Sequence, residues 1–330
     1  MYNNSVERII DITNRQPRSK YNILTFPTHE RYETELCKTG HNFYSLNIKG
    51  MKEWNFAQTP VPSNYHILPQ NQLCNYLDYD FILVQSKFGQ FQVAKDINNR
   101  LNLPIICLEH TLPTPNVMNI EQINSMRQML GDVNIFISEY SQKSWGLIGE
   151  VIHHGVDHNL FAPNDSDKNG SVLTIANDFI NRDYCLNFNG WKRVTEGLKV
   201  RVVGETEGLS KPASSVLELV DEYNSCLVYF NSSTLSPIPT SLLEAMSCGC
   251  AVVSTATCMI PEIIKNGVNG FISNDEGELR KYIDTLLNDP ELRVNIGNKA
   301  RETILSKFNI QNFVDNWNNV FNQVYEVSSK

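Results

Sequence analysis

No apolar run in this chain of 330 residues approaches the length that spans a bilayer, which excludes a membrane-crossing helix. The first residues, Met1 to Glu7, lack the charged-then-apolar layout of a secretion signal, so a cytoplasmic protein is expected. A surplus of positive charge is missing too. With 28 Lys and Arg against 36 Asp and Glu the net charge is −8, which argues against a polyanion as the main ligand. Arg8, Arg15, Arg18 and Lys20 form a local basic stretch, but with Glu7 and Asp11 beside them it reads as a solvated arm. The eight cysteines make no Cys-x-x-Cys pair, and no Cys/His spacing suits zinc, so they read as buried thiols. A Gly-x-Gly-x-x-Gly after the first strand, a Walker loop and a metalloprotease helix are all absent, as are internal repeats and low-complexity segments.

What is present suits a soluble α/β protein. At 41% apolar residues and this length there is material for two cores, and two domains of ordinary size are expected. Apolar stretches at residues 21–26, 41–48, 77–85, 104–110 and 133–138 read as strands alternating with helices. Residues 50–72, rich in Asn, Pro and Gln, read as loop with one short helix at most. A second series begins at residues 171–176 and continues through 198–204 and 226–230. Strand, helix, strand repeated in this way predicts open parallel sheets. The last helix, about residues 310–327, carries Phe313, Trp317, Val320, Phe321 and Val324 at a spacing that buries one face.

The densest information lies in residues 236–272. They read as a short amphipathic helix, a turn at Gly249, a buried strand over residues 251–255, a loop, and a second turn closed by Gly267 and Gly270. Glu244 is placed in the first turn of that helix, where free N–H groups and the dipole make a site for phosphate or hydroxyl ligands. Ser241-Leu-Leu-Glu244 also has the form of a capping box, and that reading stands beside the ligand one. Ser215-Val-Leu-Glu218 reads as a cap and nothing more.

From Leu243 to Ile272 the chain resembles the retaining nucleotide-sugar glycosyltransferases of family 4. Their pattern runs Glu, seven residues, Glu-Ala-Met-Ala-small-Gly-x-Pro-Val-Val, and then Pro-Glu-Ile-x4-Asn-Gly. The stretch Val151 to Pro163 resembles their linker signature, Pro-Asn-Gly-Val-Asp-x3-Phe-x-Pro, through Gly155, Val156, Asp157 and Phe161. The likeness is strong over residues 243–272, extends over most of 100–325 and is loose before 75. It implies the GT-B fold: α/β, with two Rossmann-like doubly wound domains and an inter-domain cleft. Residues 1–155 would form the acceptor-side domain, 156–309 the nucleotide-sugar domain, and 310–330 a helix crossing back to the first. The implied activity is transfer of a sugar from a nucleoside diphosphate donor, UDP before GDP, to an acceptor hydroxyl with retention. The nucleotide sugar is then a co-substrate, no cofactor is needed, and a glycan or small molecule is the acceptor. Hydroxylated bases in DNA are the less favoured acceptor, while a non-catalytic nucleotide-sugar binder and a GT-B epimerase are the rivals.

The resemblance also assigns residues. Glu244 stands where the family holds the ribose hydroxyls. Ser236, eight residues earlier, stands where the family carries its first glutamate, so the sugar half of the site departs from the pattern. The loop between them, Gly-rich in the family, is here Pro237-Ile-Pro239 and leads into Thr240 and Ser241 on the donor side; Gly204, which ends a strand, is counted there too. His110 ends the strand over residues 104–110 and matches a family histidine that faces the donor sugar; a packed strand-end histidine is the plain alternative. Glu109 then points the other way, since side chains alternate along a strand. Arg182 and Lys192 are candidates for the family's cationic pair on the diphosphate. The usual Arg-x4-Lys-Gly spacing is absent, however, and Lys192 reads equally as a surface residue or gives way to Arg193. Gly155 and Pro27 to His29 would flank the cleft on its other side, with His29 read as a surface histidine, and Glu262 reads as helix-start chemistry. Asp78-Tyr-Asp80 precedes a strand and does not read as a metal pair, so no obligatory metal is expected.

Overall fold

The computed structural model describes residues 20–56, 59–74, 76–114 and 118–328. Arg8, Arg15 and Arg18 of the basic stretch lie outside them. The first domain is built from β1 (Asn22–Thr25), α1 (Glu30–Cys37), β2 (Asn42–Leu46), β3 (Tyr65–Leu68) and β4 (Phe81–Val84), followed by α2 (Gln90–Leu101) and β5 (Ile105–Glu109). It continues with α3 (Ile120–Arg127), β6 (Val133–Phe136), α4 (Glu139–Trp145) and β7 (Glu150–Val151). The second holds β8 (Val172–Ile175), α5 (Asp183–Leu186), α6 (Phe188–Val194), β9 (Val200–Val203), α7 (Val216–Ser225) and β10 (Val228–Asn231). After these come α8 (Thr240–Ser247), β11 (Ala251–Ser254), α9 (Ile260–Ile263), β12 (Phe271–Ile272), α10 (Glu276–Asn288), α11 (Pro290–Lys307) and α12 (Ile310–Ser328).

Two parallel sheets result, a seven-stranded one in the order β3-β2-β1-β4-β5-β6-β7 and a five-stranded one in the order β12-β11-β10-β8-β9. Both are the doubly wound sheets expected. Their central strands are buried on both faces, and this is why β4, β5, β10 and β11 read as unbroken apolar runs rather than as alternation. The strand order reverses between β1 and β4 in one sheet and between β8 and β10 in the other. Crevices open at such switch points, outside the C-terminal strand ends.

One strand lies where a loop is expected. β3 pairs in parallel with β2, Tyr65 opposite Phe43 and Leu68 opposite Leu46. It is four residues long and lies between Pro62 and Pro69, too short for a periodicity to stand out from its polar surroundings. The sheet edge supplies the pairing that the local sequence does not advertise.

The last helix belongs physically to the first domain. Phe313, Trp317, Val320, Phe321 and Val324 of α12 pack with Tyr21, Ile23 and Phe81 of the first sheet in one buried cluster. Trp317 Nε1 donates to the Tyr32 hydroxyl at 3.0 Å, and the Tyr21 hydroxyl donates to Asn322 at 2.8 Å. The two passages of the chain between domains run side by side: Val156 N–H donates to the Phe308 carbonyl at 2.8 Å, and Val156 bridges Asn309 in parallel. Gly155 makes this approach feasible, since a Cβ there would stand 2.6 Å from Phe313 Cβ.

Trp317 is fully buried, so Trp317→Ala removes its packing and leaves the Tyr32 hydroxyl without its donor. We expect a loss of about 3–5 kcal/mol, measured by urea unfolding. A loss below about 1 kcal/mol would mean that the helix rests on the sheet without stabilising it.

Candidate active site

The C-terminal strand ends of the two sheets face one cleft of about 930 Å³. The first domain contributes the segment after β1, which carries His29, Glu30 and Arg31, together with His110 after β5 and His154 after β7. From the second domain come Asn177 after β8, Gly204 after β9, the N-terminus of α7 and the loop leading into α8. His110, Arg182, Gly204, Ser236, Pro239, Thr240, Ser241 and Glu244 all line it.

Lys192 is not brought in. It is exposed on α6, a helix that turns Gly190, Trp191 and Val194 inward. Trp191 Nε1 donates to Thr174 Oγ1 at 2.9 Å and so anchors that face. Lys192 and Arg193 are therefore directed outward, and Arg193 is held by Glu276 at 2.7 Å. The cations that line the cleft are instead Arg31, Lys52 and Arg182. Lys52 is paired with Glu30 at 2.7 Å, and Arg31 with Glu244 at 3.1 Å. Arg182 is exposed at the start of α5, and its side chain has no partner among the described residues.

The start of α8 differs from the expected capping box. Pro239 is the N-cap and offers no side-chain acceptor. Ser241 Oγ instead accepts from the Tyr229 hydroxyl at 2.8 Å. Among the described residues the N–H groups of Thr240 and Ser241 find no acceptor, whereas those of Leu242 and Leu243 turn back to the Pro239 carbonyl. A helix end with free N–H groups is an anion site in waiting. By contrast Ser215 does cap α7, accepting from Glu218 N–H at 3.1 Å. At Gly204, φ is +129° and a Cβ would collide with the Ala176 carbonyl oxygen, so the close approach of β8 and β9 at the cleft requires glycine.

Because α8 begins at Thr240, Glu244 lies beyond its first turn. Its carboxylate is buried, accepting from the Tyr223 hydroxyl at 2.8 Å and forming an ion pair with Arg31, whose Nε lies 3.1 Å away. Burial raises its pKa, opposed by the Arg31 charge and the Tyr223 bond. The Arg31 guanidinium also lies 5.3 Å from the Phe161 ring centroid. Arg31 comes from the first domain and Glu244 from the second, so this ion pair ties the cleft together at its floor.

The histidines form a second centre. His29, expected at the surface, is half-buried and is the N-cap of α1, its Nδ1 accepting from Tyr32 N–H at 3.3 Å. It stacks on His110 at 6.0 Å, while Tyr32 sets its edge against both His110 and His154 at 4.7 and 5.2 Å. Burial pushes the pKa of His29 down to about 4 and that of His154 to about 3, and takes His110 well below the ordinary range. All three are neutral imidazoles at neutral pH. Glu109 is directed away from the cleft, accepting from Thr111 N–H at 2.9 Å and lying 4.0 Å from the buried Lys87. Glu262 stays exposed in the first turn of α9. Among the described residues no group of three His, Cys, Asp or Glu is arranged to hold a metal ion, and no helix is long and apolar enough to cross a membrane. Cys74 and Cys258 are half-buried, and the other cysteines are buried and unpaired.

Arg31, Lys52 and His154 are site residues that the sequence did not disclose. His154 lies in the linker stretch Val151 to Pro163, and its place in the His153-His154 pair is its only signal in the sequence. A buried histidine with a depressed pKa contributes stability that is fully present above the unfolded pKa of 6.5 and is lost as pH falls toward about 3. Between about pH 6.5 and pH 5, wild type is expected to lose about 2 kcal/mol more than His154→Phe, from roughly 1.4 kcal/mol per pH unit. Parallel stability curves for the two proteins would mean that His154 is solvated.

Residues 212–303 match the family model Glycosyl transferases group 1. The N-acetyl-alpha-D-glucosaminyl L-malate synthase of Bacillus anthracis is 34% identical over 86 residues, 25% of this chain and 22% of that protein. An uncharacterized glycosyltransferase of Haemophilus influenzae is 22% identical over 174 residues, 46% of this chain and 49% of that one. The chain thus spans about half or less of the length of the curated relatives it matches. Among solved structures, Anabaena HepE in complex with UDP superposes with a TM-score of 0.71 at 16% identity, over 92% of this chain and 100% of that one. Sucrose-phosphate synthase from Thermosynechococcus elongatus also gives 0.71, at 12% identity, over 93% and 100%. At such identities the likeness is one of fold, and it spans both domains. The chain therefore has the GT-B fold, and its residues 212–303 match the glycosyl transferases group 1 model.

Proposed function

We propose that the protein is a glycosyltransferase that moves a sugar from a nucleoside diphosphate donor, UDP-linked before GDP-linked, to a hydroxyl of a glycan or small-molecule acceptor. The observation that carries this reading is the open N-terminus of α8. Two N–H groups without acceptors, within the stretch that matches the group 1 family model, line the same cleft as the unpaired Arg182. Two amides and a guanidinium are donors for phosphate oxygens, at a helix end whose dipole already favours negative charge. The structure of HepE with UDP supports the choice of donor class.

The chemistry follows from where charge develops. The bond between the anomeric carbon and the diphosphate oxygen breaks, and its electron pair leaves with the nucleoside diphosphate. The acceptor oxygen forms the new bond to that carbon, and its proton departs with the diphosphate or to solvent. Donors held at the leaving oxygen stabilise the transition state more than the bound donor, because the charge grows there. Retention, as in the resembling family, belongs to the proposal. So does a reaction without an obligatory metal or cofactor, in which Arg182 and the helix amides take up the charge. Glu244 keeps lone pairs for ribose hydroxyls beside its bond from Tyr223 and its ion pair with Arg31. A cytoplasmic setting is part of the same reading.

UDP should raise the melting temperature, and one UDP-sugar should raise it further, since each binds the folded state. Arg182→Ala should weaken UDP about tenfold to a hundredfold, as loss of a charged hydrogen bond implies, and leave uridine unaffected. Ser236→Ala should alter sugar preference or turnover while UDP affinity holds. No shift with any nucleoside diphosphate or its sugars would overturn the reading, and binding without turnover of any donor would leave a nucleotide-sugar-binding protein in its place.

A further inference from the structure

Behind His110 lies a buried chain of hydrogen bonds whose direction can be worked out from its partners. Gln85, next after β4, is almost wholly buried. Its Nε2 lies 2.9 Å from Glu33 Oε1 and 3.2 Å from Thr25 Oγ1, and its Oε1 lies 3.3 Å from His110 Nε2. The ionised Glu33, its form above the raised pKa of about 7, can only accept: Oε1 also receives the Tyr65 hydroxyl at 2.8 Å, and Oε2 receives the N–H groups of Thr28 and His29, each at 3.2 Å. The Thr25 hydroxyl gives its proton to the Leu83 carbonyl at 3.1 Å and so accepts from Gln85. Turned the other way, the Gln85 amide would set its oxygen against a carboxylate and against a hydroxyl whose proton is already committed. Its orientation is therefore dictated by its neighbours.

The consequence falls on the histidine. Gln85 Oε1 has no proton to give, so Nε2 of the neutral imidazole must carry one, and Nδ1 holds the lone pair. Nδ1 makes no hydrogen bond among the described residues, and the ring lines the cleft. We propose that Gln85, oriented by Glu33, is a positioning residue that holds His110 as the Nε2–H tautomer and leaves Nδ1 to accept a hydrogen bond from a sugar hydroxyl in the cleft. The tautomer stands on the structure alone, while the sugar partner rests on the transferase reading. A ring held in this way selects a group that can donate, and discriminates against the deoxy or O-methyl sugar at the same position.

Glu33→Gln provides a sharp test. The side-chain oxygen of the variant is drawn to the Thr28 and His29 N–H groups, which leaves its NH2 facing Gln85. Gln85 must then reverse, its own NH2 meets His110 Nε2, and the proton moves to Nδ1. We would record nitrogen-15 spectra of the histidines in the full-length unliganded protein. The expected result is Nε2–H at His110 in wild type, Nδ1–H in Glu33→Gln, and a mixture in Gln85→Met, which cannot hydrogen-bond. An Nδ1–H ring in wild type, or the same tautomer in all three, overturns the proposal whether or not the protein proves to be a transferase. If Glu33→Gln does not fold, the wild-type and Gln85→Met spectra decide the question. With the donor sugar identified, Gln85→Met should lower kcat/KM about tenfold to a hundredfold while free UDP binds as before. Unchanged turnover with a shifted tautomer removes the positioning role, and absence of transfer in wild type removes the transferase reading but not the tautomer.

Discussion

Everything at the cleft depends on how the chain crosses twice between its domains. The outward passage at Val156 and the return at Phe308 and Asn309 are bonded to each other, and the returning helix is sealed onto the first sheet by Trp317, Phe321 and their neighbours. Two strands of backbone tied together leave the domains fewer relative orientations than a single linker would. The C-terminal strand ends of both sheets then share one space, and residues from both can act on one ligand. The pair between Arg31 and Glu244 is the lateral counterpart of this tie, made by side chains on opposite walls of the cleft.

That space has an uneven electrostatic character. Burial keeps His29, His110 and His154 neutral, and raises the carboxyl of Glu33 to about 7 despite four hydrogen-bond donors around it. Lys52 and Arg31 are each committed to a carboxylate. Free positive character is left to Arg182 and to the unbonded amides that open α8. Opposite them lies a wall of uncharged imidazole and aromatic edges. This division suits the proposed donor, whose diphosphate would lie on the charged side and its sugar on the neutral one.

Much of this was legible in the sequence. Both sheets were, because buried parallel strands are continuous apolar runs, and so was α12, whose apolar spacing marks one buried face. β3 was not, since four residues between prolines take their strand character from the neighbouring edge rather than from their own pattern. At the cleft, the residues on the loop leading into α8 and His110 were singled out through their motif, and all of them line it. Lys192 was a plausible cation by distance along the chain, but the inward turn of Trp191 directs it to solvent. Glu244 had the spacing of a capping box with Ser241, yet Ser241 bonds Tyr229 and the box does not form. Short motifs list the bonds that are available, and tertiary neighbours decide which are made.

By itself the sequence determined the central strands and the main helices, that they alternate and hence lie in parallel sheets, and which loop leads into the helix that opens on the cleft. Those properties reside in local periodicity and in short runs of contiguous residues. Only the tertiary structure decided that Arg31 meets Glu244 across more than two hundred residues, that three histidines gather around Tyr32, and that Glu33 orients Gln85 and through it the proton on His110. The reason is that charge state, tautomer and hydrogen-bond direction depend on burial and on partners brought from distant elements, and no local pattern encodes them.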